Sequence, residues 1–163
     1  MRFEMYSKQK RTLFSTIILL TVLAVVGINP AYSQSGPGIV KVESSKNFDQ
    51  TISAFKKMVS GNGMMVMGQL NQGKVLSMTG ISVKSHTFFV GNPSVGKKLF
   101  SADHAAGAAV PVRVNIYEDT NGHTYVAYIP PSEELSSLNN QKIDMVAKML
   151  DQKLHKLTSM LGK

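Results

Sequence analysis

The sequence predicts an α+β domain in which an antiparallel or mixed sheet carries two amphipathic helices on one face. Three patterns support this fold class: an apolar stripe at helical spacing over residues 48–59, an alternating hairpin over residues 112–129, and a second helical stripe over residues 143–161. Each helix has one apolar stripe to bury, so both are expected to pack on the same side of the strands. The opposite sheet face is therefore predicted to be uncovered, and to be polar, to bind a ligand or to pair with a second copy.

The first elements of this order are a short strand and a helix. Residues 39–42 form a short β-type run. Asn47 has the chemistry of an N-cap, and the apolar stripe that follows it predicts a helix that ends at Gly61.

Two more strands and several short helices are predicted next. Residues 64–70 and 87–90 are rich in apolar, β-branched and aromatic types, which favours strands. The polar stretch between them is predicted to hold a short helix around residues 75–78. Residues 94–109 are predicted to form one or two short helices, because their apolar residues have helical spacing.

The hairpin is the clearest local signal. Apolar and polar residues alternate over 112–117, and Asn121-Gly122 supplies a turn that tolerates positive φ. The return strand is predicted over residues 124–129, where Pro130-Pro131 ends it because proline cannot donate to a strand ladder.

The final helix is predicted to begin after Asn139 or Asn140 as its cap, and Gly162 lies past its end. Its apolar positions lie on one face: Ile143, Val146, Ala147, Leu150, Leu154, Leu157 and Leu161. Burial of this stripe is expected to contribute about 1.5–3 kcal/mol for each fully buried side chain.

The first 33 residues have the features of a signal peptide. A basic start precedes an apolar run over residues 17–28. Small residues at Ala31 and Ser33 suit a signal peptidase, which would leave Gln34 as the new N-terminus. The alternative is an uncleaved anchor, but the run is shorter than the roughly 18–20 apolar residues that span a bilayer. The protein is therefore expected to be exported, to the periplasm or the medium, without stable membrane insertion after cleavage.

Length and composition predict one core. The predicted division is a signal peptide at 1–33, a flexible lead-in and first strand at 34–46, and a single domain at 47–163. The chain has no cysteine, which excludes disulfides, thiol catalysis and thiolate metal sites. The leader accounts for +3 of the formal charge of +8, and the remaining +5 is spread along the chain, so no nucleic-acid partner is expected.

The sequence also resembles the domain of unknown function 302 family over nearly the whole mature chain. These segments carry the resemblance: the amphipathic helix that ends in glycine, Gly91-Asn92-Pro93 with Gly96 and Leu99, Val110-Pro111, and Tyr117-Glu118-Asp119 leading into Asn121-Gly122. The resemblance implies a β-α-β(4)-α fold of the TATA-binding-protein-like class, with a curved, mostly antiparallel sheet and helices on one side. It also implies small domains that dimerise in some members, and it brings no established activity.

Catalytic and metal-binding motifs are weak in this sequence. Asp103-His104 is the one adjacent acid and imidazole pair, and it supports an alternative in which the protein is a hydrolase-like or other enzyme. The eight methionines of the mature chain support a second alternative, extracytoplasmic handling of copper or another metal through methionine and histidine. Flexible filling of the core is the favoured interpretation of these methionines. No catalytic residue, metal ligand or cofactor is assigned.

The predicted binding residues are polar side chains near the open face and near turns. Arg113, the one arginine after the leader, shares a face of its strand with Asn115 and Tyr117, which suggests a polar site or a dimer seam. A cross-strand pair with an acidic neighbour is the alternative interpretation of Arg113. Asn92, at a helix start, and His104 are the other candidates. The leading hypothesis is a non-catalytic module that binds a small ligand or a protein partner, including as a homodimer, through the open face.

Overall fold

The computed structural model describes residues 38–162. The predicted signal peptide, its cleavage site and residues 34–37 lie outside this range. The strands are β1 (Val40–Glu43), β2 (Met65–Asn71), β3 (Ser85–Gly91), β4 (Val112–Glu118) and β5 (Thr124–Tyr128). The helices are α1 (Phe48–Gly61), α2 (Gln72–Ser77), α3 (Pro93–Ala102), α4 (Pro131–Glu134) and α5 (Gln141–Ser159), with 3-10 helices at His104–Ala108 and Ser136–Leu138.

The five strands form one open antiparallel sheet in the order β1-β5-β4-β3-β2. The first strand pairs with the last, so β1 and β2 are the two edges of the sheet. α1 connects these edges, and α5 follows β5. This order confirms the predicted α+β class and the β-α-β(4)-α arrangement of its main elements.

α1 and α5 pack on the same face of the sheet, as the two apolar stripes predict. Phe55 of α1 and Leu154 of α5 are fully buried in one cluster with residues of the sheet. The sheet contributes alternate residues to this cluster: Phe88 and Val90 from β3, Val112, Val114 and Ile116 from β4, and Val126 and Tyr128 from β5.

A second apolar cluster lies along the first half of α5. It joins Leu99 of α3 and Leu135 to Ile143, Ala147 and Leu150 of α5. α4 lies in a segment for which the sequence predicted only the end of a strand. Pro131 has no backbone N–H to donate to a strand, but the fixed φ of proline suits the first turn of a helix. It is the first residue of α4.

Two asparagines begin the two longest helices. The Asn47 Oδ1 accepts a hydrogen bond from the Gln50 backbone N–H at 3.0 Å, as predicted. The Asn140 Oδ1 accepts from the Lys142 N–H at 3.0 Å, which identifies Asn140 as the cap of α5. Asn139 has φ +48° and ends the preceding 3-10 helix.

The prediction that the methionines fill the core is wrong for most of them. Met64 is buried and Met58 is half-buried. Exposed methionine side chains are those of Met65, Met67, Met78, Met145, Met149 and Met160. Composition alone cannot separate a core methionine from a surface one, because the thioether is tolerated in both settings.

Between residues 38 and 162 no helix combines the length and the apolar character needed to cross a membrane.

Candidate functional site

The sheet face opposite α1 and α5 carries the polar strand residues. Thr87 of β3 pairs with Asn115 of β4, and Ser85 pairs with Tyr117, so these four side chains project from the same face. Arg113 pairs with Phe89 on that face. We call this surface the open face.

α2 lies against one end of the open face. The Asn71 Oδ1 caps α2 by accepting from the Lys74 N–H at 2.9 Å. The Ser85 hydroxyl lies 2.7 Å from Gln72 Oε1, which joins α2 to the sheet. Thr87 is only 2% exposed although it belongs to this face. The expectation of a wholly uncovered face is therefore wrong at this end.

Gly73 makes this placement of α2 possible. A Cβ at Gly73 would lie 2.3 Å from the Val83 carbonyl oxygen, which is far inside a van der Waals contact. The backbone that leads from α2 to β3 passes close to Gly73 at Val83. This close approach is possible because glycine has no side chain.

A cavity of about 310 Å³ opens between α2 and the strands of the open face. The side chains that matter for its chemistry are Gln72, Thr87, Arg113, Asn115 and Tyr117, with Ile129 on an apolar wall. The structure thus brings three of the five predicted binding residues, Arg113, Asn115 and Tyr117, into one cavity. None of the acidic side chains between residues 38 and 162 lines it.

Hydrogen bonds fix the orientation of Asn115 in the cavity. Its Oδ1 lies 3.4 Å from the Thr87 hydroxyl, which can donate to it, and 3.1 Å from the Ser85 hydroxyl, whose single proton goes either to this oxygen or to Gln72 Oε1. The Asn115 Nδ2 has no hydrogen-bond partner in the described part of the chain. An amide whose oxygen is engaged and whose nitrogen is not presents two N–H donors to a ligand.

Arg113 supplies the permanent charge of the cavity. Its side chain is exposed and makes no ion pair within 4.0 Å with any residue between 38 and 162, so the alternative of a cross-strand pair with an acid is wrong in this range. Glu134 acts on it at longer range: burial raises the pKa of the Glu134 carboxyl, and the charge of Arg113 opposes that rise. The guanidinium therefore keeps its donors available.

A second cation lies beside Tyr117. The rings of Tyr117 and Tyr125 stack with their centroids 5.5 Å apart, and Lys41 Nζ lies 3.7 Å from the centroid of the Tyr125 ring. A hydrogen bond to Tyr117 is the main cause that raises the pKa of Lys41. The positive charge of the open face thus extends from Arg113 towards β1.

Asn92 and His104 lie away from this cavity. The Asn92 side chain is committed to structure: its Oδ1 accepts from the Ser94 and Val95 N–H groups and its Nδ2 donates to the Gly63 carbonyl. His104 is exposed at the start of a 3-10 helix. The Asp103 Oδ1 caps that helix by accepting from the Ala105 N–H at 2.8 Å. No hydrogen bond or ion pair joins Asp103 to His104 in the described residues.

The described residues give the metal hypothesis little geometric support. Over residues 38–162 no group of three or more histidine, aspartate or glutamate side chains could hold a metal ion. Met65 and Met67 are both about half exposed, and a bulge interrupts β2 between Val66 and Gly68. Metal binding through methionine stays a prediction.

Two residues that enclose the site, Gln72 and Thr87, were not predicted from the sequence. Gln72 and Thr87 have no motif of their own, and their role depends on the pairing of β2, β3 and β4. The capping chemistry of Asn71, with Gly73 two residues later, was the local signal that could have placed α2 next to the sheet.

Fold and site together define a small α+β module with an open antiparallel sheet and a polar, cationic cavity on its free face. The family model described as Domain of unknown function DUF302 matches residues 40–161, and the chain belongs to this family. A solved structure, described as "Crystal structure of uncharacterized conserved protein DUF302 from Bacillus stearothermophilus", has the same fold with a TM-score of 0.72. The two sequences are 18% identical, and the matched region covers 76% of this chain and 97% of the solved one. No curated protein matches the chain at a significant level.

Proposed function

We propose that this protein is a non-catalytic binding module that holds a small organic anion in the open-face cavity. The supporting observation is that Arg113 and the Asn115 amide nitrogen, both without hydrogen-bond partners in residues 38–162, line one cavity that has no acidic side chain. A guanidinium fork and an amide donor match the oxygens of a carboxylate or a phosphate.

The walls of the cavity favour an anion that carries an apolar part. Three apolar side chains line the cavity: Ile39, Ala127 and Ile129. An inorganic oxyanion such as phosphate would leave these side chains in contact with water, whereas the apolar part of an organic anion would cover them.

Titration calorimetry with benzoate, phenyl phosphate and neutral benzamide tests this function. We expect the two anions to bind and benzamide to bind more weakly. Arg113→Gln should weaken binding of the better anion by about 10- to 100-fold, because a charged hydrogen bond contributes about 1.5–3 kcal/mol. Lys156→Gln is the matched control: it removes the same charge from an exposed site on α5 and should leave the affinity unchanged.

Two results would contradict the proposal. One is equal affinity for benzamide and benzoate, which would show that charge is not recognised. The other is an equal loss of affinity in Arg113→Gln and Lys156→Gln, which would assign the effect to net charge.

We also propose that the module acts after export. The support is the order of basic, apolar and small residues in the first 33 positions. Expression of the full chain in a Gram-negative host, followed by N-terminal sequencing of the periplasmic protein, should give a chain that begins at Gln34. Recovery of the uncleaved chain in the membrane fraction would favour the anchor instead.

A second candidate function is homodimer formation through the β2 edge. α2 and its connection to β3 expose Val75, Met78 and Ile81, and Met78 is 86% exposed. β2 adds Met65 and Leu70 and contains no charged residue. An uncharged edge strand beside an apolar surface favours pairing with another edge, and β2 of a second copy is a complementary one.

Native mass spectrometry tests the dimer. The protein should be dimeric at micromolar concentration, and the double variant Met78→Ser, Ile81→Ser should shift it to monomer. Met145→Ser, Met149→Ser is the control, because it removes two exposed methionines from α5. A wild-type protein that stays monomeric would exclude the dimer and leave anion binding untouched.

A further inference from the structure

A second cavity, of about 180 Å³, lies between α3 and the sheet, away from the open face. Its buried walls are Val90 and Val112 from the cluster under α1 and α5, and Leu99 and Leu150 from the second cluster. The cavity therefore occupies the seam between the two hydrophobic clusters. It is an imperfection in packing that interiors usually avoid.

The walls of this cavity offer no free polar side chain. Among the residues from 38 to 162, Asn92 is the one polar side chain that lines it. Its oxygen accepts from the Ser94 and Val95 N–H groups and its nitrogen donates to the Gly63 carbonyl. A polar or charged ligand would lose its hydrogen bonds to water on entering and find none in return, so the cavity selects against it.

The mouth of the cavity is held open by two large apolar side chains. Met67 and Phe100 line the cavity and are 48% and 43% exposed. Each packs over a glycine: a Cβ on Gly91 would lie 2.8 Å from Met67 Cε, and a Cβ on Gly107 would lie 2.9 Å from Phe100 Cζ. Any larger residue at position 91 or 107 would displace one of these two side chains.

We propose that this cavity binds a small uncharged apolar molecule of about the size of one aromatic ring. An engineered apolar protein cavity of about 150 Å³ binds benzene, so a volume of about 180 Å³ is sufficient for one aromatic ring. The cavity is separate from the open-face site, and the two sites differ in chemistry. One presents donors and positive charge, and the other presents hydrocarbon, a thioether and one amide whose hydrogen bonds are already made. This inference does not rest on the proposed anion binding.

Gly96 offers a way to fill the cavity without disturbing its walls. Gly96 lines the cavity from the middle of α3, and a Cβ built there would meet nothing within 4 Å. A leucine at this position can therefore extend into the empty volume. Gly61, at the end of α1, also has open space around its Cβ position and does not line the cavity, so Gly61→Leu is the matched control.

The test is an NMR titration of the purified protein with toluene, followed through the methionine methyl groups. The Met67 methyl should shift and saturate with a dissociation constant of roughly 0.1–1 mM, as expected for a ligand with so few atoms. The methyl groups of Met145 and Met149, exposed on α5, should not move. Gly96→Leu should weaken binding at least tenfold, and Gly61→Leu should leave it unchanged.

Several outcomes would overturn the proposal. They are the absence of a Met67 shift, equal binding by the wild type and Gly96→Leu, and equal shifts at Met145 and Met149, which would indicate nonspecific partitioning. A Met67 shift that depends on protein concentration without toluene would assign the cavity to a side chain of a second copy. If circular dichroism shows that Gly96→Leu does not fold, Val95→Phe narrows the same cavity and takes its place.

Discussion

His86 is a histidine whose surroundings oppose its charged form. It lies on β3 opposite Ile116, on the side of the sheet that faces the helices, and its ring stacks on Phe88 with centroids 4.6 Å apart. Its Nε2 is buried and has no hydrogen-bond partner in the described residues. Burial and the charge of Lys56 lower the pKa of His86. A neutral ring is therefore favoured in the folded state.

This lowered pKa predicts a loss of stability in mild acid. The pKa of a histidine in the unfolded chain is about 6.5, and the folded value lies below it. As the pH falls below about 6.5, the unfolded state binds the proton first, so the free energy of unfolding decreases until the pH has passed the folded pKa. Above about pH 6.5 His86 is neutral in both the folded and the unfolded state, so it contributes nothing to the pH dependence of the free energy of unfolding.

His86→Phe should remove this part of the pH dependence. It also removes the unpartnered ring nitrogen, so the free energy of unfolding at neutral pH should rise by about 1 kcal/mol. Urea unfolding at about pH 7.5 and about pH 5.5 measures both effects. His155→Gln, at an exposed position on α5, is the control and should keep the wild-type slope. An unchanged slope in His86→Phe would show that another group causes it.

At the scale of elements, α2 is the piece that turns a flat sheet face into a cavity. It has only six residues and buries none of them, so packing of its own side chains contributes little to its stability. Its position depends on the Asn71 cap, on the contact between Gln72 and Ser85, and on the close approach of Gly73 to the Val83 carbonyl.

Gly73→Ala should therefore displace α2. The added Cβ would lie 2.3 Å from a backbone oxygen, which cannot move aside as a side chain can. We expect a loss of about 1–3 kcal/mol in the free energy of unfolding and weaker anion binding. Gly61→Ala has open space and should be neutral or slightly stabilising. Chemical denaturation of both variants makes the comparison, and equal stability of the two would contradict the role assigned to Gly73.

At the scale of the whole molecule, α5 joins the two hydrophobic clusters. Its first half supplies Ile143, Ala147 and Leu150 to one cluster, and its second half supplies Leu154 and Leu157 to the other. The last element of the chain therefore connects α3 and α4 to the sheet. We expect the two clusters to unfold together, because losing α5 exposes both.

Leu154→Ala should lower the free energy of unfolding by about 2–5 kcal/mol in a single transition, since Leu154 is fully buried. Met149→Ala, one turn away and 63% exposed, should change it by less than about 0.5 kcal/mol. Urea unfolding followed by circular dichroism and by tyrosine fluorescence measures both variants. Transitions that differ between the two probes would indicate that the clusters unfold separately.

Local patterns were sufficient for the main elements of this protein. The spacing of Phe55 and Val59, and of Leu154 and Leu157, predicts which helix face is buried, because a helix has one period and one face to hide. The alternation of Val112 and Val114 with Arg113 predicts which strand residues turn away from the core. The fold class and the face that carries Arg113, Asn115 and Tyr117 follow from these periods.

Strand order and cavity formation depend on contacts between residues far apart in the chain. The sequence of β1 does not predict that this strand pairs with β5. Likewise, nothing in the sequence around Gln72 predicts its contact with Ser85. Asn92 and His104 were the other predicted binding residues, and the fold places both away from the open face. Asn92 caps α3, and His104 is exposed at the start of a 3-10 helix. The two cavities exist because α2 and α3 lie against particular strands, and that arrangement is a property of the packed chain.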